Sequence, residues 1–362
     1  MFELKSTYLN SAYFGPTPVR SREYVEKSLK RTMDPSGIAI EDWINIPDRI
    51  RNQLGALMGV SADNIALGSS VSDFVSHVAN GIDLSTSDEV LLMKDDFPSM
   101  ILPWMVLSEL RGFKVRVLPV ATFQDPDRLK KEFTAQTKFA GCSHVMFNTG
   151  LQLPVGELGK IARAHGVLFM ADISQSFGAM RLKKDVVENV DILVGVDYKW
   201  LLGPFGSAHA YFSNDALKRV QRTTGNWAAS PRTHAGNLLD YTTEVLPGAR
   251  KFDKGQSSSF LITAALEGSL NLIAEVGLEK IEAHNFKLAE QFHKSLPKDY
   301  ERGAGVYPIV CIRPPNVDIA ELKERLTKNQ IDVSIRQGWV RVSFHFFNTP
   351  EQVDQILKVL AE

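Results

Sequence analysis

The sequence predicts an α/β protein with a mainly parallel sheet in a large domain, followed by a smaller α+β domain. Short apolar runs alternate with helix-like segments through the first two-thirds of the chain. Several of these runs are β-branched and lack polar alternation, as expected for strands covered on both faces. The order strand, helix, strand favours a parallel sheet. A chain of 362 residues, 44% of them hydrophobic, can bury the cores of two or three domains.

The first elements are predicted to be helices, and the following ones to alternate between strands and helices. Apolar residues recur at helical spacing within 16–60, around Tyr24 and again from Ile50 to Met58. Strands are then predicted at Asn64–Leu67, Glu89–Met93, Lys114–Pro119, His144–Phe147, Val167–Met170, Ile192–Val196 and His209–Phe212. The stretch Asn226–Lys254 is rich in Gly, Ser, Thr and Asn and lacks periodicity, so it is predicted to be a long functional loop.

The last third of the chain is predicted to form the smaller domain. A long helix is expected to begin at Ser259. After it we expect a helix at Leu278–Ser295, a strand near Val306–Ile312, a helix at Ile319–Asn329, a strand pair near Val333 and Val340–Ser343, and a helix from Pro350. The predicted division is an N-terminal arm (1–15), a large α/β domain (16–255) and a small α+β domain (256–362).

Composition excludes several classes of protein. The formal net charge is −1, without the basic bias of nucleic-acid binders, so no nucleic-acid partner is expected. No signal-peptide pattern opens the sequence and no apolar run approaches the roughly 18 residues of a membrane span, so we expect a cytoplasmic protein. The two cysteines, Cys142 and Cys311, form no metal-binding or disulfide pattern, and no metal site is predicted.

The segment VGVDYKWLLGPFGS (Val194–Ser207) places Lys199 between a predicted strand and a Gly-Pro-Phe-Gly turn. Apolar surroundings disfavour the ammonium form, so the pKa of this lysine is expected to fall. A lysine that is partly neutral near pH 7 suits Schiff-base chemistry. By itself, however, the pattern also fits a strand-end lysine whose amine reaches solvent.

A carboxylate, Asp172, ends the upstream strand in VLFMADISQSFG, with Gln175 just beyond it. Ligands of open α/β sheets bind at the carboxyl ends of strands, and an aspartate there can pair with a pyridinium nitrogen. The spacing of 27 positions from Asp172 to Lys199 fits one helix and one strand. The alternative role for Asp172 is a helix N-cap.

Two further turns follow predicted strands. LGSSVSDF (Leu67–Phe74) joins small residues to a helix, whose first N–H groups and dipole favour an anion such as phosphate. Serine is also the ordinary N-cap residue, so this signal is weak alone. In FNTGLQLP, Asn148 is a candidate hydrogen-bond donor to a hydroxyl group on the same pyridine ring. Alternatively, Asn148 is simply part of a loop.

Taken together and in this order, these segments resemble the class V aminotransferase group of fold-type I pyridoxal-phosphate (PLP) enzymes. That group includes cysteine desulfurases, isopenicillin N epimerase-like proteins and kynureninase. The resemblance covers nearly the whole chain, from YLNSAYFGPTP through KDDFPSMILPW, FNTG, ADISQSFG and YKWLLGPFGS to KFDKGQSSS and VRVSFHFFNT.

The resemblance implies a role for each matching residue. Lys199 is the expected Schiff-base lysine and Asp172 the partner of the ring nitrogen. The other cofactor contacts it implies are Ser70, Val71, Ser72, Phe97, Asn148, Gln175, Tyr198 and Gln256, the last reaching the phosphate of a second subunit. That implies a homodimer with shared active sites. Arg341 matches the arginine that grips a substrate α-carboxylate, and Tyr13 is an expected substrate contact in a pocket that includes Trp104 and the loop around Trp227–His234.

Two departures bear on the reaction. Many relatives stack a histidine on the cofactor ring, whereas the matching residue here is Phe97, which cannot transfer protons. Desulfurases carry a cysteine on a mobile loop, whereas Cys311 lies in the apolar run YPIVCIRPP and is predicted to be buried.

The predicted function is therefore a PLP-dependent enzyme acting on an amino acid, with transamination as its minimal chemistry. A kynureninase-like hydrolase is the first alternative, followed by another lyase or an epimerase. A nucleotide-binding oxidoreductase would need a GxGxxG turn after the first strand, which this sequence lacks. A catalytically silent binding protein is disfavoured by the presence of Lys199, Asp172 and Arg341 together. The substrate stays open.

Overall fold

A computed structural model describes residues 1–39, 41–254, 259–304, 307–315, 317–336 and 338–361. The strands are β1 Thr7–Tyr8, β2 Ile65–Gly68, β3 Glu89–Met93, β4 Lys114–Leu118, β5 Thr137–Ser143, β6 Leu168–Asp172, β7 Ile192–Val196, β8 Ala208–Phe212, β9 Glu301–Arg302, β10 Ile309–Arg313, β11 Ile331–Asp332, β12 Ser334–Arg336 and β13 Trp339–Ser343.

Helices alternate with these strands through the first part of the chain. They are α1 Val19–Met33, α2 Asp42–Met58, α3 Val71–Gly81, α4 Pro98–Arg111, α5 Val120–Phe123, α6 Pro126–Glu132, α7 Val155–Ala164, α8 Lys184–Asn189, α9 Asn214–Arg219, α10 Pro231–His234, α11 Phe260–Val276, α12 Leu278–Ser295, α13 Ile319–Lys328 and α14 Pro350–Ala361. Short 3-10 turns at Trp227–Ala229 and Gly248–Phe252 add local structure to the predicted loop of residues 226–254.

The large sheet has the order β2-β8-β7-β6-β5-β3-β4. Strand β8 is antiparallel to both of its neighbours, and the other pairs are parallel. Alternate residues of β3 enter different buried clusters, with Leu91 and Met93 in one and Val90 and Leu92 in the other. Both faces of the sheet are therefore covered, which explains the continuous apolar runs in the sequence.

A second, antiparallel sheet has the order β12-β13-β10-β9 and packs with α12, α13 and α14 around its own buried cluster. The N-terminal segment joins this part of the protein, because β1 pairs in parallel with β11 and Asn10 bridges to Ser343. Helix α11 packs against α1 and α2 beside the large sheet. The expected α/β fold with a smaller α+β part is confirmed, whereas the boundaries 1–15, 16–255 and 256–362 stay a prediction.

One predicted strand was wrong. His144–Phe147 is not a strand: the strand is β5, which ends at Ser143, and Val145 makes only an isolated bridge to Gln152. The sequence of β5, TKFAGCS, is dominated by small and polar residues. The position of β5 is decided by its pairing with β3 on one side and β6 on the other, which local composition does not report.

Among the described residues, no single helix is both long and apolar enough to cross a membrane, although α11 and α12 together, bent by 79°, reach the required length and composition.

Candidate active site

The candidate site lies where the carboxyl ends of five parallel strands meet. Residues that follow β2, β3, β5, β6 and β7 converge there, because parallel strands deliver their carboxyl ends to one edge of the sheet. Two neighbouring cavities of about 150 Å³ each occupy this edge and share Phe97, Tyr198, Lys199 and Phe205. The site is thus assembled from segments that lie more than a hundred residues apart in the chain.

Lys199 lies two residues beyond the buried Asp197, in the turn after β7, and is 8% exposed. Its Nζ lies 5.6 Å from the ring centre of Phe97 and 5.8 Å from that of Tyr198. Burial lowers the pKa of Lys199 from 10.5 to about 8; Arg341 and Arg336 act in the same direction, and Asp172 opposes them. A substantial neutral fraction near pH 8 makes this amine a nucleophile and a base.

The backbone around Lys199 is held by the N-terminal segment. The N–H of Gly15 donates to the carbonyl oxygen of Tyr198 at 2.8 Å. A Cβ atom at position 15 would lie 2.0 Å from the Lys199 carbonyl oxygen, which leaves no room for any side chain. Glycine is therefore required here by close approach.

Asp172 is the last residue of β6 and is 5% exposed. Its Oδ1 accepts the backbone N–H of Ser174 at 2.8 Å. Burial raises the pKa of Asp172, while the bonds from Ser174 and the charges of Lys199 and His209 act against that rise. A cationic N–H donor is the partner that such a buried carboxylate needs in order to stay ionised.

Phe97 follows β3 and precedes α4, where it lies 36% exposed beside Lys199. Its ring makes an edge contact with Phe147 at 5.3 Å between centres. Its backbone N–H donates to Asp96 Oδ1 at 2.7 Å, and Asp96 Oδ2 accepts the N–H of Ser143 at 2.8 Å. Asp96 therefore ties the Phe97 segment to the end of β5, and burial raises the pKa of Asp96 to about 6.

The first turn of α3 faces the cavity opposite Lys199. Ser70 caps the helix, its Oγ accepting the N–H of Asp73 at 3.1 Å, and Val71 begins it. The first N–H groups of a helix have no intrahelical partner and form an anion site. Lys254 Nζ lies 2.8 Å from Ser69 Oγ and 3.0 Å from Asp73 Oδ2, so its charge is paired with the Asp73 carboxylate. The free N–H groups of the first turn suit a phosphate.

Gln175 and Tyr198 lie beside the same lysine. The Gln175 side chain donates to the Ala12 carbonyl at 2.9 Å and accepts from Trp200 Nε1 at 3.0 Å, which fixes its plane. Tyr198 lies between the rings of Phe14, at 5.4 Å, and Phe205, at 4.9 Å. Tyr198 lines both cavities that Lys199 lines, and Gln175 lines the second of them.

Arg341 on β13 reaches the second cavity and is 5% exposed. Its Nη1 donates to the Phe147 carbonyl at 2.7 Å and its Nη2 to Ser334 Oγ at 3.2 Å. Its buried Nε has no partner among the described residues. A guanidinium has five N–H donors, so donors are left over for a carboxylate. Tyr13, which is 56% exposed, lines this cavity too.

Other expected contacts lie apart from Lys199. Asn148 is exposed and lines neither cavity; its carbonyl accepts the Cys311 thiol at 3.0 Å. Ser72 is exposed and donates to Ser99 Oγ at 2.8 Å, on the outer side of the phosphate turn. Trp104 is fully buried against Phe139 and is a core residue. Gln256 lies outside the described residues.

Sequence reasoning missed several residues that line the two cavities. They are Ser99, Ser174, Phe205 and Arg336. Ser174 could have been found, since it stands between the two residues singled out in ADISQSFG. Arg336 had no local signal, because only the pairing of β12 with β13 brings it beside Arg341.

The arrangement fits a pyridoxal phosphate. An anion site, an aromatic ring, a buried carboxylate and a buried amine of lowered pKa surround one space. The described residues contain no cluster of three or more His, Cys, Asp or Glu side chains that could hold a metal ion.

Known proteins with similar sequences carry out different reactions. The chain is 24% identical over 391 residues to a probable cysteine desulfurase of Methanothermobacter thermautotrophicus, an alignment that spans 98% of this chain and 94% of that protein. It is 25% identical over 378 residues to isopenicillin N epimerase of Streptomyces clavuligerus, across 97% and 93% of the two chains.

A solved structure of the cystine C–S lyase C-DES in complex with cysteine persulfide shares the fold. Its TM-score is 0.89 at 22% identity, across 99% of this chain and 98% of that chain. The family model described as aminotransferase class-V matches residues 36–356, which is most of the sequence. The chain therefore belongs to the class-V aminotransferase family, and its cofactor is pyridoxal 5′-phosphate.

Proposed function

We propose that this protein is an aminotransferase that removes the amino group from an amino acid, with PLP carried covalently on Lys199. The observation that carries the proposal is the chemistry around Lys199. Among the described residues that line the two cavities, Lys199 is the only amine, and no histidine or cysteine accompanies it. When bound, PLP supplies an electron sink that makes the α-proton of an amino acid acidic.

Substrate orientation is assigned to Arg341. Its unused donors can bind the α-carboxylate, and its two bonds to Phe147 and Ser334 hold the guanidinium in place beforehand. Residues that position a substrate contribute to catalysis by fixing the reacting geometry.

Proton movement is assigned to Lys199. With a pKa lowered to about 8, its amine is neutral often enough to take the α-proton of the substrate and to deliver it again. Delivery of that proton to the cofactor by the same base would leave only hydrolysis by water to release the 2-keto acid. Asp172, held by Ser174, would keep the ring nitrogen protonated.

A desulfurase that uses a cysteine of its own is disfavoured. The chain has two cysteines, and both are buried. Burial raises the pKa of the Cys311 thiol to about 12, and this thiol donates to the Asn148 carbonyl. Cys142 lies in β5 inside the core. A thiolate nucleophile beside Lys199 has no candidate in this sequence.

Cleavage of the substrate's side chain is the alternative that an observation favours, because the C-DES fold matches over nearly the full chain and that protein is a cystine C–S lyase. The reaction of such a lyase, or of a kynureninase-type hydrolase, can begin with the same base, Lys199, and the same carboxylate-binding residue, Arg341. Epimerisation needs an acid on the opposite face of the substrate, and Phe97 cannot supply one.

We also propose a homodimer. Helix α4 exposes four apolar side chains, Leu102, Met105, Val106 and Leu110, of which three line a groove of about 490 Å³ beside α3. Ser99 belongs to both this groove and the cavity of Lys199. A second copy seated on this groove would reach the cofactor cavity, in keeping with the expected shared active sites. A cytoplasmic location is also part of the proposal.

The reaction is tested with the PLP-loaded protein and a panel of amino acids. Transamination is expected to yield pyridoxamine phosphate and a 2-keto acid, both measured by mass spectrometry. If no amino acid yields pyridoxamine phosphate while kynurenine or a β-substituted amino acid is split, the aminotransferase proposal is wrong and the lyase or hydrolase takes its place. Borohydride reduction and peptide mapping test Lys199, since a label on another lysine would contradict its assignment.

A further inference from the structure

Two arginines face the substrate cavity from neighbouring strands. Strand β12 pairs antiparallel with β13, and Ser334 lies opposite Arg341. Ser334 Oγ accepts a bond from Arg341, so both side chains occupy one face of this sheet. Arg336 is two residues from Ser334 and shares that face. Diagonal neighbours of this kind lie about 7–8 Å apart, so the two guanidinium groups can bind two parts of one small molecule.

The positive charges of this cavity lack a matching acid. Lys199, Arg336 and Arg341 line it, while its other described lining residues are Ala12, Tyr13, Phe14, Phe97, Phe147, Gln175, Tyr198 and Phe205. The α-carboxylate of a substrate would neutralise the charge of Arg341. The charge of Arg336 would remain beside a mainly aromatic wall, where it is less well screened than in open water.

Arg336 is available for a ligand. Its side chain is exposed and makes no hydrogen bond or ion pair with any residue in the part of the chain that the structure describes. Its charge nevertheless reaches the site, because it lowers the pKa values of both Lys199 and Arg341. Arg341, in contrast, already has two protein acceptors and is buried.

We propose that Arg336 binds a second anionic group on the substrate, so that the substrate class is amino acids with an acidic side chain. The proposal rests on the proposed function, because it takes Arg341 as the site of the α-carboxylate. Arg336 is thus a specificity-determining residue, which pairs through a charge-assisted hydrogen bond with the far end of the substrate.

The neighbouring cavity leaves room for that far end. It measures about 800 Å³, and Ser334 lies in its wall. Arg336 and Tyr13 line both spaces, so they stand where a side chain would leave the Lys199 cavity. Lys323 lines only the larger space.

The test measures binding rather than turnover. PLP-loaded protein is titrated with L-aspartate and L-glutamate and with their neutral isosteres L-asparagine and L-glutamine, and dissociation constants are read from the change in cofactor absorbance. The acidic member of at least one pair is expected to bind about tenfold more tightly, as for a hydrogen bond to a charged group. Equal or tighter binding of both amides would overturn the proposal.

Four variants locate the effect. Arg336→Gln is expected to bring the ratio of acidic to neutral affinity close to one, and Arg336→Glu to reverse it. Arg341→Gln should weaken every member of the panel, because it removes the α-carboxylate partner. Lys328→Gln removes an exposed charge on α13 that lines neither cavity and should keep the wild-type ratio. If Arg336→Gln leaves the ratio of acidic to neutral affinity unchanged, Arg336 contacts solvent and not the substrate, and the proposal is wrong.

The outcomes separate this inference from the proposed function. If amino acids change the cofactor spectrum but no acidic preference exists, the inference fails while the PLP function stands. If acidic amino acids bind with the expected preference and no pyridoxamine phosphate forms, the aminotransferase proposal fails while the substrate class stands.

Discussion

Lys199 shows how burial turns an ordinary side chain into a reactive one. The amine lies near the Phe97 and Tyr198 rings. The loss of hydration destabilises its ammonium form by more than the negative charge of Asp172 stabilises it. Arg336 and Arg341 lower the pKa further. The same residue on a solvated strand end would stay protonated at neutral pH.

The first prediction concerns the pH dependence of PLP uptake by the apoprotein. The neutral amine reacts, and its fraction rises with pH until the pKa is passed. The uptake rate should therefore increase about tenfold per pH unit below about pH 8 and level off above it. Stopped-flow absorbance measures the rate, with Lys199→Ala as the control that forms no covalent complex. A midpoint near 10.5 would show that burial leaves the amine unperturbed.

The second prediction concerns Asp172. Asp172→Asn should bind PLP within a few-fold of the wild type but lose about 10²-fold or more in turnover, because a neutral amide cannot keep the ring nitrogen protonated. Near-normal turnover of Asp172→Asn would mean that Asp172 only holds the Ser174 backbone in place. Ser174→Ala keeps the backbone N–H that bonds to Asp172 but loses the Oγ that accepts the Val196 N–H, so a smaller loss of turnover is expected there.

At the scale of elements, the N-terminal segment acts as a strap across the site. It joins β11 through β1, donates from Gly15 to Tyr198, and passes Tyr13 and Phe14 along the cavity wall. The lysine turn therefore depends on a segment that belongs structurally with the second sheet.

The third prediction follows from that strap. Gly15→Ala should lower the free energy of unfolding by about 1–3 kcal/mol and weaken PLP binding, because a Cβ would meet the Lys199 carbonyl oxygen at 2.0 Å. Denaturant unfolding and PLP titration measure the two effects. Gly37→Ala is the matched control: no atom lies within 4 Å of a Cβ there, so it should change neither quantity.

On the scale of the whole molecule, α4 presents an apolar face that a single chain leaves uncovered. Contiguous apolar side chains on a surface mark interaction sites, and this face adjoins the cofactor cavity through Ser99. Assembly and active site are therefore expected to be linked.

The fourth prediction tests that link. Leu110→Glu, at a side chain that is 77% exposed in the single chain, should shift sedimentation from dimer towards monomer and weaken PLP binding. Met33→Glu, a 78% exposed residue on α1, is the control and should leave the dimer intact. A cofactor-loaded wild-type monomer would contradict the proposal outright, and dissociation by Met33→Glu alone would move the contact to α1.

Local sequence determined much of this protein. Continuous apolar runs specified most strands of the large sheet, because strands buried on both faces tolerate few polar residues. The residues that follow those strands, Lys199, Asp172 and the Ser70–Val71 turn, could be identified because they interrupt apolar runs with chemistry-bearing groups. Their convergence follows from the parallel direction of the strands.

Only the tertiary structure decided the rest. Strand β5 was displaced from the predicted His144–Phe147 because its small residues gain their place from β3 and β6. The closeness of Gly15 to Lys199, and of Arg336 to Arg341, comes from contacts between distant segments, and nothing in the neighbouring residues encodes it. Sequence periodicity reports which face of an element is buried, whereas the partner that buries it is set by how the whole chain packs.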